Sequence, residues 1–134
     1  MRDLIQSVAT FLTLYVAIGL AASVGAILRY VVGVMCGRFF GTGFPIGTFV
    51  INISACIFIG WFLTFANNRM LVSDTVRLAV GVGFIGTYST FSTFAYESSS
   101  LLEEGSGIKA ITYMLGSLVG GLIAVRIGIA LAGR

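Results

Sequence analysis

The sequence predicts an all-α membrane protein, one domain over residues 1–134 with four transmembrane helices. Three observations carry this. Of the 134 residues, 57% are hydrophobic and 10% charged, with a mean hydropathy of +1.04; soluble domains carry roughly 25% charged residues. The apolar stretches fall into four runs, each long enough for the ~20 residues that cross a bilayer core. The polar stretches between them are short and leave no room for a soluble domain. Eighteen glycines against a single proline fit closely packed helices better than disorder.

The first span is placed at residues 11–35. It follows Arg2 and Asp3, but it runs longer than the apolar core of a signal peptide and has no clear small-residue cleavage site, so it is kept as a span. Gly19, Ala22, Ala26 and Gly33 let helices approach closely. Arg29, near its C-terminal end, either snorkels to the interface or sets a positive charge at the mouth of an anion path. Residues 37–45 form a loop with the only proline. The second span, residues 47–66, carries Asn52 in an otherwise apolar run. An amide in a bilayer is costly unless paired, so Asn52 bonds a neighbouring helix or donates to a permeant anion. Trp61 suits an interfacial anchor. Residues 67–74 are the second polar loop.

The third span, residues 75–101, organises the chain. Gly86-Thr87-Tyr88-Ser89-Thr90 are all poor helix formers and predict a break at mid-membrane depth. Unpaired backbone groups in hydrocarbon cost several kcal/mol each. A break is tolerated where it is buried in protein, binds an ion or lines a watery path. Beyond it, at 100° per residue, Ser89, Ser92, Thr93, Tyr96 and Ser100 share one face. Phe91 and Phe94 take roughly the opposite one, and Glu97 lies at the edge of the hydroxyl stripe. Hydroxyls often only glue helices together; break, ladder and carboxylate in one helix point to a path. Glu103, Glu104 and Gly105 end this span.

The fourth span, residues 108–131, places Gly116, Gly120, Ala124, Gly128 and Ala132 at four-residue spacing, a stripe for close packing. Tyr113 and Ser117 share a neighbouring face, and Arg126 is read as snorkelling towards the C-terminal side.

Four spans put Arg2, Arg69, Arg77 and Arg134 on one side, with Arg38, Lys109 and nearby Arg29 on the other. That bias is weak under the positive-inside rule. A chain that inserts both ways can form an antiparallel two-fold homodimer, in which each face of the third helix meets a different pore. Cys36 and Cys56 have no metal-like spacing and read as packing residues. The net charge of +3 is spread along the chain and suggests no nucleic-acid surface.

These residues resemble a known family, the Fluc/CrcB fluoride channels. The most specific part is Gly83-Phe84-Ile85-Gly86, then Ser89-Thr90-Phe91-Ser92-Thr93-Phe94 and Glu97, similar to the family's GFxGGxTTFSTFxxE. Gly25-Ala26 with Arg29-Tyr30, Gly47-Thr48 with Asn52, and Tyr113 with Gly116-Ser117 also match, so the likeness covers nearly the whole chain. It implies a dual-topology antiparallel homodimer with two pores, letting toxic fluoride leave the cytoplasm passively across a bacterial inner membrane. By that resemblance the pore is lined by Asn52, by the aromatic pair Phe91 and Phe94, and by a hydroxyl track of Ser92 and Thr93 leading to Glu97. Tyr113 and Ser117 contribute from the fourth helix. Arg29 draws anions into the vestibule, and the backbone carbonyls of Gly86 and Ser89 hold a central structural sodium ion. Thr87 and Ser89 depart from the family's Gly and Thr, and Gly121 replaces a fourth-helix hydroxyl.

A small anion stripped of water needs donors, which Asn and hydroxyl groups supply. Phenylalanine ring edges are electropositive and face an anion without holding it tightly. A small dual-topology cation or multidrug transporter shares the size, but it needs a carboxylate near the midplane, and Glu97 lies well past the break. No phosphate loop is present to drive uphill transport by ATP, and an intramembrane enzyme fits worst, since there is no histidine and no Ser-Lys pair at suitable depth.

Overall fold

The computed structural model describes residues 1–68 and 72–133, without the side chains of Asp3 and Leu4. Arg69 and Arg134, two of the charges assigned above to one side, lie outside the described residues. All regular structure among the described residues is helical. Helices α1 (Arg2–Phe40) and α2 (Ile46–Asn68) are followed by α3 (Asp74–Leu78), a π-helical segment (Ala79–Ile85) and the single turn α4 (Gly86–Tyr88). Then come α5 (Phe91–Glu103) and α6 (Gly107–Ala132). Four helical stretches are long and apolar enough to cross a membrane: Ile5–Phe40, Ile46–Asn68, Asp74–Glu103 and Gly107–Ala132.

Helix α1 is longer than the expected 11–35. It passes through Gly37 and Arg38, which the sequence placed in a loop, and stops where Gly41 turns to φ 76°. A glycine just past a helix takes this left-handed turn without a Cβ penalty; its N–H donates back to Gly37 O. At 1.5 Å per residue, α1 is about 58 Å long.

The third span begins at Ser73, whose hydroxyl accepts from Val76 N–H. Ordinary helix was expected to run up to Gly86; instead the backbone widens into the π segment. Gly81 and Gly83 give it that latitude, and Gly83 lies flush against α1, where a Cβ would come 2.7 Å from Ile18 O. At Ser89 (φ −77°, ψ 161°) and Thr90 (φ −151°, ψ 117°) the chain is extended, and α5 then resumes in nearly the same direction, bent by 17°.

Small residues set the spacing of the bundle. Gly60 of α2 meets the backbone carbonyl of Val125 in α6, and Gly128 of α6 meets that of Ile57, so the two backbones touch. Ala124 is buried between these contacts, whereas Gly116 meets only the ring of Phe49, 3.9 Å from where its Cβ would be. Gly25 of α1 lies against Phe84 O and the Thr87 hydroxyl, which donates to Ala22 O (2.9 Å). One core joins Ile51, Ala55, Phe62 and Ala66 to Ile85 and Tyr88; a second joins Leu101, Ala110 and Tyr113. Trp61 is stacked between Phe58 and Phe65.

Candidate functional site

The site is built around the two extended residues. Thr90 N–H is the donor that would close a helical bond onto Gly86 O. It goes instead to Asn52 Oδ1 (2.9 Å), while Asn52 Nδ2 donates to Thr90 O (3.0 Å). Thr93 N–H, the helical partner of Ser89 O, donates to Thr90 Oγ1 (3.3 Å), which caps α5. Two side chains thus take the N–H groups that would have satisfied the carbonyls of Gly86 and Ser89. Ser89 Oγ donates back to Ile85 O (3.1 Å).

Two turns along α5, Glu97 is held by one hydroxyl on each oxygen. Thr48 Oγ1 of α2 donates to Oε1 (2.8 Å), and Tyr113 Oη of α6 donates to Oε2 (2.7 Å). Tyr113 is 1% exposed, its ring against Phe94 (centroids 5.1 Å) and Phe44 (5.6 Å). The aromatic run continues from Phe94 to Phe91 (5.8 Å), which is 79% exposed.

Two cavities meet at Thr90. The larger, about 680 Å³, is bordered by Arg29, Thr48, Thr90, Thr93, Glu97 and Glu104. The smaller, about 350 Å³, is bordered by Asn52, Gly86, Ser89, Thr90 and Phe91.

The structure therefore gathers Arg29, Thr93 and Glu97 at one cavity, and Asn52, Gly86, Ser89 and Phe91 at the other. Ser92 is exposed, its hydroxyl 3.4 Å from Thr90 Oγ1. Ser117 Oγ is buried with no hydrogen-bond partner among the described residues.

The expected hydroxyl ladder is corrected in one respect. Ser89 is not on the α5 face, because the extended residues break the helical phase between it and Ser92. Tyr96 is 75% exposed, and Glu97 lines the larger cavity together with Thr93 and Ser100 of the stripe. The phenylalanines are not set apart from the carboxylate, since Phe94 and Glu97 both reach Tyr113.

Four participants were missed as site residues. Thr48 precedes Asn52 by one helical turn, so its place on the same face of α2 was a usable signal. Thr90 was read as a poor helix former and as part of the family motif, although threonine is also a favoured N-cap where a helix starts. Ser54 and Tyr88, 2.9 Å apart through their hydroxyls, form a further tie between α2 and the third span; nothing in the sequence pairs them.

No group of three or more His, Cys, Asp or Glu residues that could hold a metal ion occurs among the described residues.

Comparison with known proteins follows the same lines. The family described as CrcB-like protein, Camphor Resistance (CrcB), matches residues 16–129. A protein of Chloroflexus aurantiacus named fluoride-specific ion channel FluC is 51% identical over 115 residues, 86% of this chain and 91% of that one. One of the same name from Acidobacterium capsulatum is 42% identical over 120 residues, 90% of this chain and 96% of that one. FluC 1 of Bacillus thuringiensis subsp. konkukian is 35% identical over 115 residues, 86% and 84% of the two chains.

Proposed function

Because the chain belongs to the CrcB-like family, we propose that it is a passive, fluoride-selective channel that lets fluoride leave the cytoplasm across a bacterial inner membrane. It is a multi-pass membrane protein and not an enzyme. One observation carries the reading: relatives matching 86–90% of the chain bear the name of fluoride-specific ion channels.

The geometry is suited to that task. Fluoride is small and strongly hydrated, so a path must replace its water with donors that do not hold it too tightly. Asn52 Nδ2 uses one N–H on Thr90 O and keeps a second. The capped start of α5 contributes the partial positive charge of a helix N-terminus beside Phe91 and Phe94, whose ring edges are also electropositive. Past them, the hydroxyls of Thr48 and Tyr113 already solvate one anionic group, the Glu97 carboxylate. A passing anion competes with Glu97 for the same donors, with Thr93 and the Ser117 hydroxyl, unpartnered among the described residues, close in sequence to them. Arg29 at the larger cavity draws anions in.

The working unit in this reading is an antiparallel dual-topology homodimer with two pores, its third helices broken at mid-membrane and facing each other. The carbonyls of Gly86 and Ser89 fit a sodium ion, because the N–H groups that would have paired them go to side-chain oxygens. Bound there, sodium supplies fixed positive charge at the interruption.

The purified protein in liposomes tests the whole. Rapid fluoride efflux without chloride leak is expected; no fluoride efflux, or equal passage of chloride, would overturn it.

A further inference from the structure

The N-terminal end of α1 runs past the rest of the bundle, and its length can be placed against the other helices. Gly47 of α2 lies against Gly33 and Cys36 of α1, so counting along the two antiparallel helices brings the end of α2, Asn68, level with about residue 13. Gly83 lies against Ile18 and Ala21, and counting back to Asp74 brings the start of the third span level with about residue 11. Residues 2–10 therefore overshoot the bundle by about 14 Å. Every described side chain from Ile5 to Thr13 is exposed. The overshoot also lies outside the matched region, which begins at residue 16.

This segment is two-faced. At 100° per residue, Ile5, Val8, Phe11 and Leu12 fall on one side and Gln6, Ser7, Thr10 and Thr13 on the other. The centre of the apolar side lies about a quarter turn from the face that sets Ile18, Gly25 and Gly33 against the bundle. It thus points sideways over lipid rather than across the bundle. Thr10 Oγ1 donates to Gln6 O (2.9 Å) and Thr13 Oγ1 to Ala9 O (2.8 Å). Hydroxyls that bond back to the i−4 carbonyl bend helices, and helices bend convex on their polar side. The two threonines sit at the exit from the bundle and favour a tilt towards the apolar side.

We propose that residues 2–13 form an interfacial helix, with Ile5, Val8, Phe11 and Leu12 bedded at the boundary between phospholipid headgroups and acyl chains beside the channel. The occupant of this face is lipid because the segment emerges from the bilayer as part of a spanning helix. The headgroup–acyl boundary is then the nearest apolar medium, and an amphipathic helix with a polar opposite face takes it.

The test uses the full chain with C36A and C56A, reconstituted in vesicles of phosphatidylcholine and phosphatidylglycerol. A single-cysteine nitroxide is placed in turn at each position from 5 to 13, and collisions with oxygen and with a water-soluble nickel chelate are compared. Oxygen maxima are expected at 5, 8 and 12 and nickel maxima at 6, 10 and 13, with a several-fold swing at helical period. In Val8→Asp with Leu12→Asp, a label at 11 should shift several-fold towards nickel while the protein elutes unchanged. Three results would each overturn the proposal: uniform nickel access (a stalk in water), uniform oxygen access (a deeper transmembrane segment), or protection from both reagents (a protein partner). Fluoride efflux enters none of these readouts, so the outcome is independent of the transport reading.

Discussion

Asn52 pairs with the backbone of Thr90 at two points, accepting from its N–H at 2.9 Å and donating to its carbonyl at 3.0 Å. The primary amide does for one extended residue what a neighbouring strand would do. This tethers the interruption to α2 and leaves one amide hydrogen free.

Asn52→Asp keeps the shape and removes the donor. An ionised aspartate faces Thr90 O and repels an anion; at an effective ε of about 20, like charges about 4 Å apart cost roughly 4 kcal/mol, about three orders of magnitude in occupancy. A protonated aspartate keeps one O–H donor. Fluoride efflux from liposomes should therefore fall below the parent rate, and fall further as pH rises. Parent-rate efflux across the range would reduce Asn52 to a structural tether.

The Glu97 clamp predicts coupling. Tyr113→Phe and Thr48→Val each remove one hydroxyl from one carboxylate oxygen. Losing a partner from a part-buried charged group costs about 1–3 kcal/mol. Each variant should lower fluoride flux roughly tenfold, and the double variant by less than the product, since both act on one group. Strictly multiplicative effects would mean that the two hydroxyls work separately.

The aromatic pair should separate conduction from stability. Phe91 is largely exposed, and Phe94 packs on Tyr113 within the second core. Phe91→Ala should cut flux strongly with a melting temperature near the parent's. Phe94→Ala should cut flux and also cost about 1–3 kcal/mol, less than a fully buried phenylalanine. Normal conduction in both variants would return the rings to packing alone.

Ser89→Ala bears on the cation. The serine hydroxyl donates its hydrogen to Ile85 O, and in the proposed site it is the backbone carbonyl, kept in the alanine variant, that holds sodium. Sodium-dependent stabilisation in thermal melts should persist at the parent's sodium concentration. A shift of tenfold or more would make the hydroxyl a ligand.

Dual topology is checked by placing a single cysteine near either end of the chain and labelling intact cells with a membrane-impermeant reagent. About half of each should react from outside; labelling confined to one side would sink the antiparallel arrangement.

The spans were legible because a bilayer demands apolar length, and that demand is written residue by residue. Poor helix formers cluster at Gly86–Thr90, yet Gly86–Tyr88 stay helical; only Ser89 and Thr90 are extended, and the joined helix bends by 17° there. The π segment was not legible, since Gly81 and Gly83 read equally well as close-packing glycines. The end of α1 was misplaced because Gly37 resembles a terminator, and only the left-handed turn at Gly41 stops the helix. Asn52 and Glu97 stood out as polar groups in apolar runs. Their partners, Thr90 and Thr48, did not, because a threonine hydroxyl can be satisfied within its own helix.

The third span is the least apolar of the four and holds to α2 through side chains at Thr48, Asn52 and Ser54, all made earlier in the chain. During synthesis, then, the helix worst suited to entering lipid alone follows the one that carries its hydrogen-bond partners. Removing those three polar groups would burden biogenesis before it burdened transport, with the third segment stalling at the insertion machinery while the first two are already seated.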